Sequence, residues 1–459
     1  MLAGVVAVAS TTSMARLGST PLWYDEIATD RASGLHWSGL WRLLHVTDAN
    51  LGLYYAVLHL WRGFGDGALW LRLPSALAGV GAVVLTERIG RRLVGRWPAL
   101  LGAGLLAIHP FAVTYARDAR PYALVACGCA AAALLGLRAR EAPSIRRWAW
   151  YSVVTVLAIG LHLYAALVVM ALAIALRPAV GGRAARLWLL AHGPAGVAAA
   201  GLLAVSLRQQ GQLHWVPELT VPHLLGGLSL LAGGPVALVA LTAALVDVTR
   251  PRAAEFTKGP VLGAVVIVPV LLLTLAGLVR PTFVPRYLDT TVWAQCLAVA
   301  VGIARVTGGR ALVLRRVGGA VVAVSLAVGS AAQVMASYQY EDYRSASRML
   351  LALARPGDGV VFGDASVVLG MDFYLPRTRR GRQLLPADVL ATPGREWVGF
   401  SRSQLTGARA LRSVGAFARV WFVDYDRSGR RPPAALGGDH CRRIGARAGM
   451  TLALCRRPG

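Results

Sequence analysis

Apolar stretches of about 20 residues recur through the first three quarters of the chain, each long enough to cross roughly 30 Å of hydrocarbon. They run over Leu2–Ala15, Leu69–Ile89, Trp97–Ala116, Tyr122–Leu137, Trp148–Leu176, Leu187–Leu207, His223–Val246, Pro260–Val279, Thr290–Ile303 and Val317–Ala336. No polar face runs along them, the pattern of helices that pack against lipid and one another. Trp148–Leu176 would reach about 43 Å as one helix, and arginines flank both of its ends. It therefore predicts two short helices broken at His162-Leu163-Tyr164, which brings the total to about eleven transmembrane helices.

After Ala336 the pattern changes. Apolar Ala346, Met349, Leu350 and Leu353 predict a helix over Glu341–Ala354, stopped by Pro356-Gly357-Asp358-Gly359. Short apolar runs at Val360–Gly363, Val420–Asp424 and Met450–Cys455 predict strands. The expected fold class is an α-helical polytopic membrane protein with a small C-terminal α/β domain. Residues 1–336 form the membrane domain, with a long polar loop over 17–67, and residues 337–459 form the second domain. No glycine-rich nucleotide fingerprint accompanies it.

Of the 459 residues 56% are apolar and 15% charged, with a mean hydropathy of +0.54. That excludes a disordered chain, a disulfide-rich miniature domain and an ordinary soluble enzyme. The net charge of +26 changes the picture further, because it points to an anionic membrane surface or to nucleic acid. Nucleic acid is excluded by placement: the basic residues lie beside spans and form no stripe or motif. Loops assigned to the inside carry 18 of them, among them Arg88, Arg91, Arg138, Arg146, Arg183, Arg250, Arg252, Lys258, Arg305 and Arg316, against 10 in the outside loops. The bias predicts a multi-pass plasma-membrane protein with a cytoplasmic N-terminus and an extracytoplasmic C-terminal domain. The first apolar segment has no basic lead, so it reads as a span and not as a signal peptide.

The unusual residues gather in the outside loops. Trp23-Tyr24-Asp25-Glu26 sets two acids just beyond the first span, where partial desolvation makes a carboxylate a better base. Trp37, Leu40, Trp41 and Leu44 follow at helical spacing, the pattern of an interfacial helix or of a packing helix. Thr47-Asp48-Ala49-Asn50-Leu51-Gly52-Leu53-Tyr54-Tyr55, Leu71-Arg72-Leu73-Pro74, Tyr115-Ala116-Arg117-Asp118-Ala119-Arg120-Pro121-Tyr122 and Val284-Pro285-Arg286-Tyr287-Leu288 then bring acids and arginines to the same interface. Such groups are costly at membrane depth, so each requires a partner or a ligand. His109 and His162 read as structural, and no His, Cys and Asp set has metal-ligand spacing. Cys127, Cys129 and Cys296 fall in spans as small apolar residues, while Cys441 and Cys455 fall where oxidation is permitted and can pair.

Together these motifs resemble the GT-C superfamily of integral membrane glycosyltransferases, specifically its family-39-like bacterial branch. "LWYDE" is similar to the first-loop acidic motif, "LYYAVLHLWRGFG" with "LRLPSAL" to the second-span signature, "YARDARPYAL" to the third-loop motif, and "VPRYL" to a late Arg-Tyr element. The run Thr47 to Tyr55 looks closest to actinobacterial members presumed to be mannosyltransferases. Two departures stand out. Ala-Asn-Leu-Gly replaces the His-Pro-Pro found in many relatives, and Asp118 stands where they often have Glu.

The resemblance implies an inverting enzyme that moves a sugar from a polyprenyl-phosphate donor to a cell-envelope glycolipid, glycan or exported protein. Mannose is the expected sugar and arabinose the alternative. Asp25 is then the base. Glu26 either orients the acceptor or is solvated, and Asp48 contacts the acceptor or a metal, or serves as a cap. Arg117, Arg120, Tyr122, Arg286 and Tyr287 hold the donor phosphate, unless some of these arginines pair with Asp118 or Asp289 or snorkel to lipid headgroups. Some superfamily members use a divalent cation beside the first-loop acid, and the sequence leaves that open. A transporter or flippase would place ionisable groups mid-span in two related halves, whereas these spans are nearly free of charge.

Overall fold

The computed structural model describes residues 1–178, 181–209, 211, 215–249, 259–304, 309–336, 340–378, 385–391, 399–400, 404–405, 407–426, 432, 441–447 and 449–456. Arg250, Arg252, Lys258 and Arg305, used above for topology, lie outside the described residues. In chain order the helices are α1 (Leu2–Met14), α2 (Tyr24–Gly34), α3 (Trp37–Val46), α4 (Gly52–Trp61), α5 (Ala68–Leu93), α6 (Arg96–Ala107) and α7 (Pro110–Ala116). Next come α8 (Tyr122–Glu141), α9 (Ile145–Leu161), α10 (Ala165–Ala175), α11 (Arg183–Arg208), α12 (Val221–Ala232), α13 (Pro235–Thr249) and α14 (Gly259–Val279). The last are α15 (Val292–Ala304), α16 (Gly309–Met335), α17 (Tyr343–Leu353), α18 (Ala365–Thr378) and α19 (Gly407–Gly415). Two compact units result: Met1–Leu17 with Thr47–Met335, and Gly18–Val46 with Ala336–Gly459. The polar loop expected to belong whole to the membrane domain is thus divided at Val46, and its first part packs with the C-terminal region.

The first unit is helical. Among the described residues, six helices are long and apolar enough to cross a membrane: α5, α8, α11, Pro260–Val279, Pro285–Ala304 and Arg316–Met335. Two predicted spans are bent pairs instead. The α6–α7 pair turns by 60° at His109-Pro110, where proline has no amide hydrogen to give and restricts the residue before it. The α12–α13 pair turns by 86° at Gly233-Gly234, both at positive φ, ahead of Pro235. Helices α1 and α10 are shorter apolar helices. The long segment breaks where its length required, between Leu161 and Ala165.

Small residues let the central helices of this unit approach closely, as membrane packing favours. A Cβ on Gly90 of α5 would lie 2.7 Å from Ala99 Cβ of α6 and 2.8 Å from Leu297 of α15. One on Gly102 of α6 would lie 2.7 Å from the same leucine.

The second unit has a five-stranded sheet in the order β2-β1-β3-β5-β4. Its strands are β1 (Gly359–Phe362), β2 (Ala387–Asp388), β3 (Arg419–Tyr425), β4 (Cys441–Arg447) and β5 (Met450–Arg456). β1 runs parallel to β2 and β3, and β5 runs antiparallel to β3 and β4. Every residue of β1 is buried, which is why the strand reads as a continuous apolar run. Short β2 and Arg-rich β4 carry no such run. Cys441 faces Cys455 in the β4–β5 register, and the two form a disulfide. Helices α2 and α17 both pack on α18. On α3, Leu40 and Leu43 are buried while Trp37 and Trp41 stand 51% and 67% exposed. The packing reading accounts for the leucines, and the two tryptophans keep the outward placement that suits a headgroup layer.

Candidate functional site

The acid pair opens α2. Trp23 is extended at φ −95° and ψ 177°, and its carbonyl accepts the amides of Glu26 and Ile27 at 3.0 Å each, which starts the helix. The Glu26 carboxylate turns back and accepts the Trp23 N–H at 3.4 Å. Glu26 is fully buried, so the solvated reading is corrected: a long side chain three residues after an N-cap reaches back to the free amide there. Asp25 is half-buried in the same first turn. The first turn of a helix is a favourable place for a carboxylate, because the free amides there point toward it.

Asp48 belongs to the other unit. It sits at φ 54°, a left-handed conformation that Asp tolerates better than most side chains, and its carbonyl accepts the Leu51 amide. Its carboxylate accepts the Tyr55 O–H at 2.6 Å, and Arg120 Nη1 donates to the same phenol oxygen at 3.5 Å. Burial, then the neighbouring carboxylate, holds the Tyr55 phenol well above its ordinary pKa, so it remains the donor in this chain. Arg120 is anchored further by Ser75 Oγ, which donates to its carbonyl at 3.1 Å.

Arg120, Tyr122, Arg286 and Tyr287 are brought together from loops far apart in sequence. Arg286 lies over the rings of Tyr122 at 5.9 Å and Trp215 at 5.0 Å. Tyr287 stacks on Tyr164 with centroids 4.3 Å apart and approaches His162 at 5.4 Å. His162 lies 5.5 Å from Tyr122, and the charges of Arg120 and Arg286 both act on its ring. The helix break at His162-Leu163-Tyr164 therefore delivers two rings to this cluster. Trp215 had no signal in the sequence, and Tyr55 was visible only inside a quoted motif.

Arg117 lies elsewhere. Its guanidinium donates to the carbonyls of Gln333 at 2.8 Å and Val334 at 3.4 Å, at the C-terminus of α16, where Arg16 also donates to Met335 at 2.7 Å. These are helix-capping bonds to carbonyls that α16 leaves without an internal partner. Arg72, 1% exposed, donates to the Leu17 carbonyl at 2.6 Å. Asp289 forms no ion pair with an arginine among the described residues; with Ser13 and Trp293 it lines a cavity of about 30 Å³. No group of three His, Cys, Asp or Glu side chains among the described residues is arranged to hold a metal ion. Glu26 caps its helix and Asp48 accepts from Tyr55.

Residues 54–208 match the family described as dolichyl-phosphate-mannose-protein mannosyltransferase. In sequence no curated protein matches the chain. Among solved structures, ArnT from Cupriavidus metallidurans in the apo state aligns over 99% of this chain and 97% of its own, with a TM-score of 0.61 and 14% identity. The same protein bound to undecaprenyl phosphate aligns over 98% and 97%, with a TM-score of 0.56 and 13% identity. The archaeal oligosaccharyltransferase AglB from Archaeoglobus fulgidus, in complex with an inhibitory peptide and a dolichol-phosphate, aligns over 92% and 69%, with a TM-score of 0.52 and 11% identity. The chain shares the fold of these solved structures, and about a third of it is similar to that mannosyltransferase family.

Proposed function

We propose that the chain is an inverting glycosyltransferase that moves mannose from a polyprenyl-phosphate donor to a hydroxyl of a cell-envelope acceptor, on the outer face of the plasma membrane. The observation that carries the reading is the gathering of Arg120 and Arg286 with Tyr122, Tyr164 and Tyr287 in one cluster of the membrane unit. Guanidinium forks and phenol hydroxyls suit a lipid phosphate. The match of residues 54–208 to a family described by its phosphate-linked mannose donor supports the sugar. ArnT, alike in fold, has been solved with a polyprenyl phosphate bound.

The chemistry needs one base and charge stabilisation. The Asp25 carboxylate takes the proton of the acceptor hydroxyl while that oxygen bonds to the anomeric carbon. The bond from that carbon to the phosphate oxygen breaks, and the lipid phosphate leaves with the electron pair, its charge held by Arg120 and Arg286. A single displacement inverts the anomeric centre. Asp25 then returns its proton to water. The loop charges set the orientation, with the N-terminus inside and the acid-bearing loop outside.

The test is transfer of labelled sugar from polyprenyl-phosphate mannose into membrane glycoconjugates by membranes carrying the full chain. Asp25→Asn should abolish transfer while the protein remains inserted and folded. Near wild-type transfer by that variant would remove Asp25 as the base, and a preference for polyprenyl-phosphate arabinose would replace the sugar.

A further inference from the structure

The helix that carries the acids is built into the C-terminal unit and not into the span that precedes it. Helix α1 ends at Met14 in one unit, and Gly18–Val46 belongs to the other. Three contacts hold the residues just before Asp25. The Arg344 guanidinium donates to the Ser19 carbonyl at 2.8 Å. The Leu22 N–H donates to the Tyr374 hydroxyl at 2.7 Å, with both residues buried. The Trp23 ring lies against Tyr340 with centroids 4.2 Å apart. Beyond the acids, α2 packs on α18 with Ile27, Ala28 and Ala32 buried, and Arg31 feels the charge of Asp372 on α18.

These contacts fix both the entry angle of α2 and its rotation. A backbone amide held by a buried phenol has no water to fall back on, so its position is set by Tyr374. The contact residues come from α17, α18 and the segment before α17, all of them C-terminal to the membrane spans.

We infer that the C-terminal unit is the holder of the catalytic carboxylate, with Tyr374, Arg344 and Tyr340 as positioning residues that act through Ser19, Leu22 and Trp23 to aim Asp25. The inference rests on the reading of Asp25 as the base. Holding a base in register is a transition-state contribution, since a displacement of about 1 Å costs on the order of 100-fold in rate. It predicts a fall in kcat without a matching change in donor KM, because the phosphate cluster is built from the other unit.

The experiment uses the full chain in membranes with polyprenyl-phosphate mannose as probe. The double variant Tyr374→Phe/Arg344→Ala should lower kcat at least about tenfold with donor KM unchanged. Replacing the alanine by lysine, as Tyr374→Phe/Arg344→Lys, keeps a donor for the Ser19 carbonyl and should restore part of the rate. A readout apart from activity comes from Ala28→Cys, a position 3% exposed on α2. Its thiol should resist a water-soluble maleimide in the otherwise native chain and react faster in the double variant. Unchanged kcat together with unchanged thiol protection overturns the inference, as does a rise in donor KM equal to the fall in kcat. If Asp25→Asn is inactive while the double variant is fully active, the positioning role alone fails. If Asp25→Asn is itself active, the assignment of the base fails first.

Discussion

Asp358, immediately before β1, is 4% exposed and accepts from four donors. Arg419 meets it as a fork, Nε at 2.9 Å and Nη2 at 3.2 Å. Trp421 Nε1 donates at 2.9 Å and the Arg355 amide at 2.9 Å. Asp358→Ala removes every acceptor at once. The Trp421 N–H, on a side chain 1% exposed, is left buried and unsatisfied, and Arg419, with its side chain 18% exposed, loses its counter-charge. The two losses together cost about 3–5 kcal/mol, the guanidinium's share reduced by its partial exposure. For a unit of this size each kcal/mol moves the melting temperature by roughly 2–4 °C, so the expected drop is roughly 6–20 °C. The assay is the temperature at which trypsin begins to cut the C-terminal unit of the full chain in membranes. Asp358→Asn keeps the shape and one acceptor and should lose about 1–3 kcal/mol. An Asp358→Ala chain that resists trypsin to within about 1 °C of wild type would refute the view that this carboxylate organises β1 and β3.

Arg286→Ala should raise the donor KM about 10- to 100-fold, the cost of one charge-assisted phosphate contact, and an unchanged KM in a transfer assay would remove it from the donor site. The hydroxyls of Tyr343 and Tyr425 lie 2.7 Å apart, and burial, foremost, holds both phenols above their ordinary pKa. Since the folded state keeps protons that the unfolded chain loses near pH 10, stability is full below that pH and falls by about 1.4 kcal/mol per pH unit and group above it. Tyrosinate absorbance should therefore show these two titrating only as the unit unfolds, and early titration of all thirteen tyrosines would contradict it. Finally, Arg16→Ala/Arg117→Ala should expose the C-terminal turn of α16 to faster amide exchange, whereas unchanged exchange there would reject the capping role.

The spans were legible because lipid imposes length and apolarity on each segment by itself, without reference to any neighbour. The break at His162-Leu163-Tyr164 was legible for the same reason, as a length that no single straight helix fits. The bends at His109-Pro110 and Gly233-Gly234 carried local signals too, a proline and paired glycines, but the apolar run continues through both and masks them. In the C-terminal unit, β1, β3 and β5 announce themselves by burial on both faces, and β4 does not, since an edge strand of mixed polarity has one neighbour to satisfy.

The candidate residues can be read from the sequence as a list, but not which of them lie together. Arg117 and Arg120 sit three residues apart in one motif, yet one caps α16 and the other faces His162. Only the choice of backbone carbonyls within reach separates them, and that choice is made by a helix some 200 residues later. The same holds for α2. Its contacts with Tyr340, Arg344 and Tyr374 cross more than 300 residues of chain, and a polar loop after a first span reads as part of the membrane domain when only its neighbours in sequence are considered. Acids in such a loop acquire a defined direction only where something rigid holds the loop. The sheet and helices after the last span supply that rigidity, so under the proposed assignment of the base the residues after Ala336 act on catalysis through Asp25, which the same unit carries.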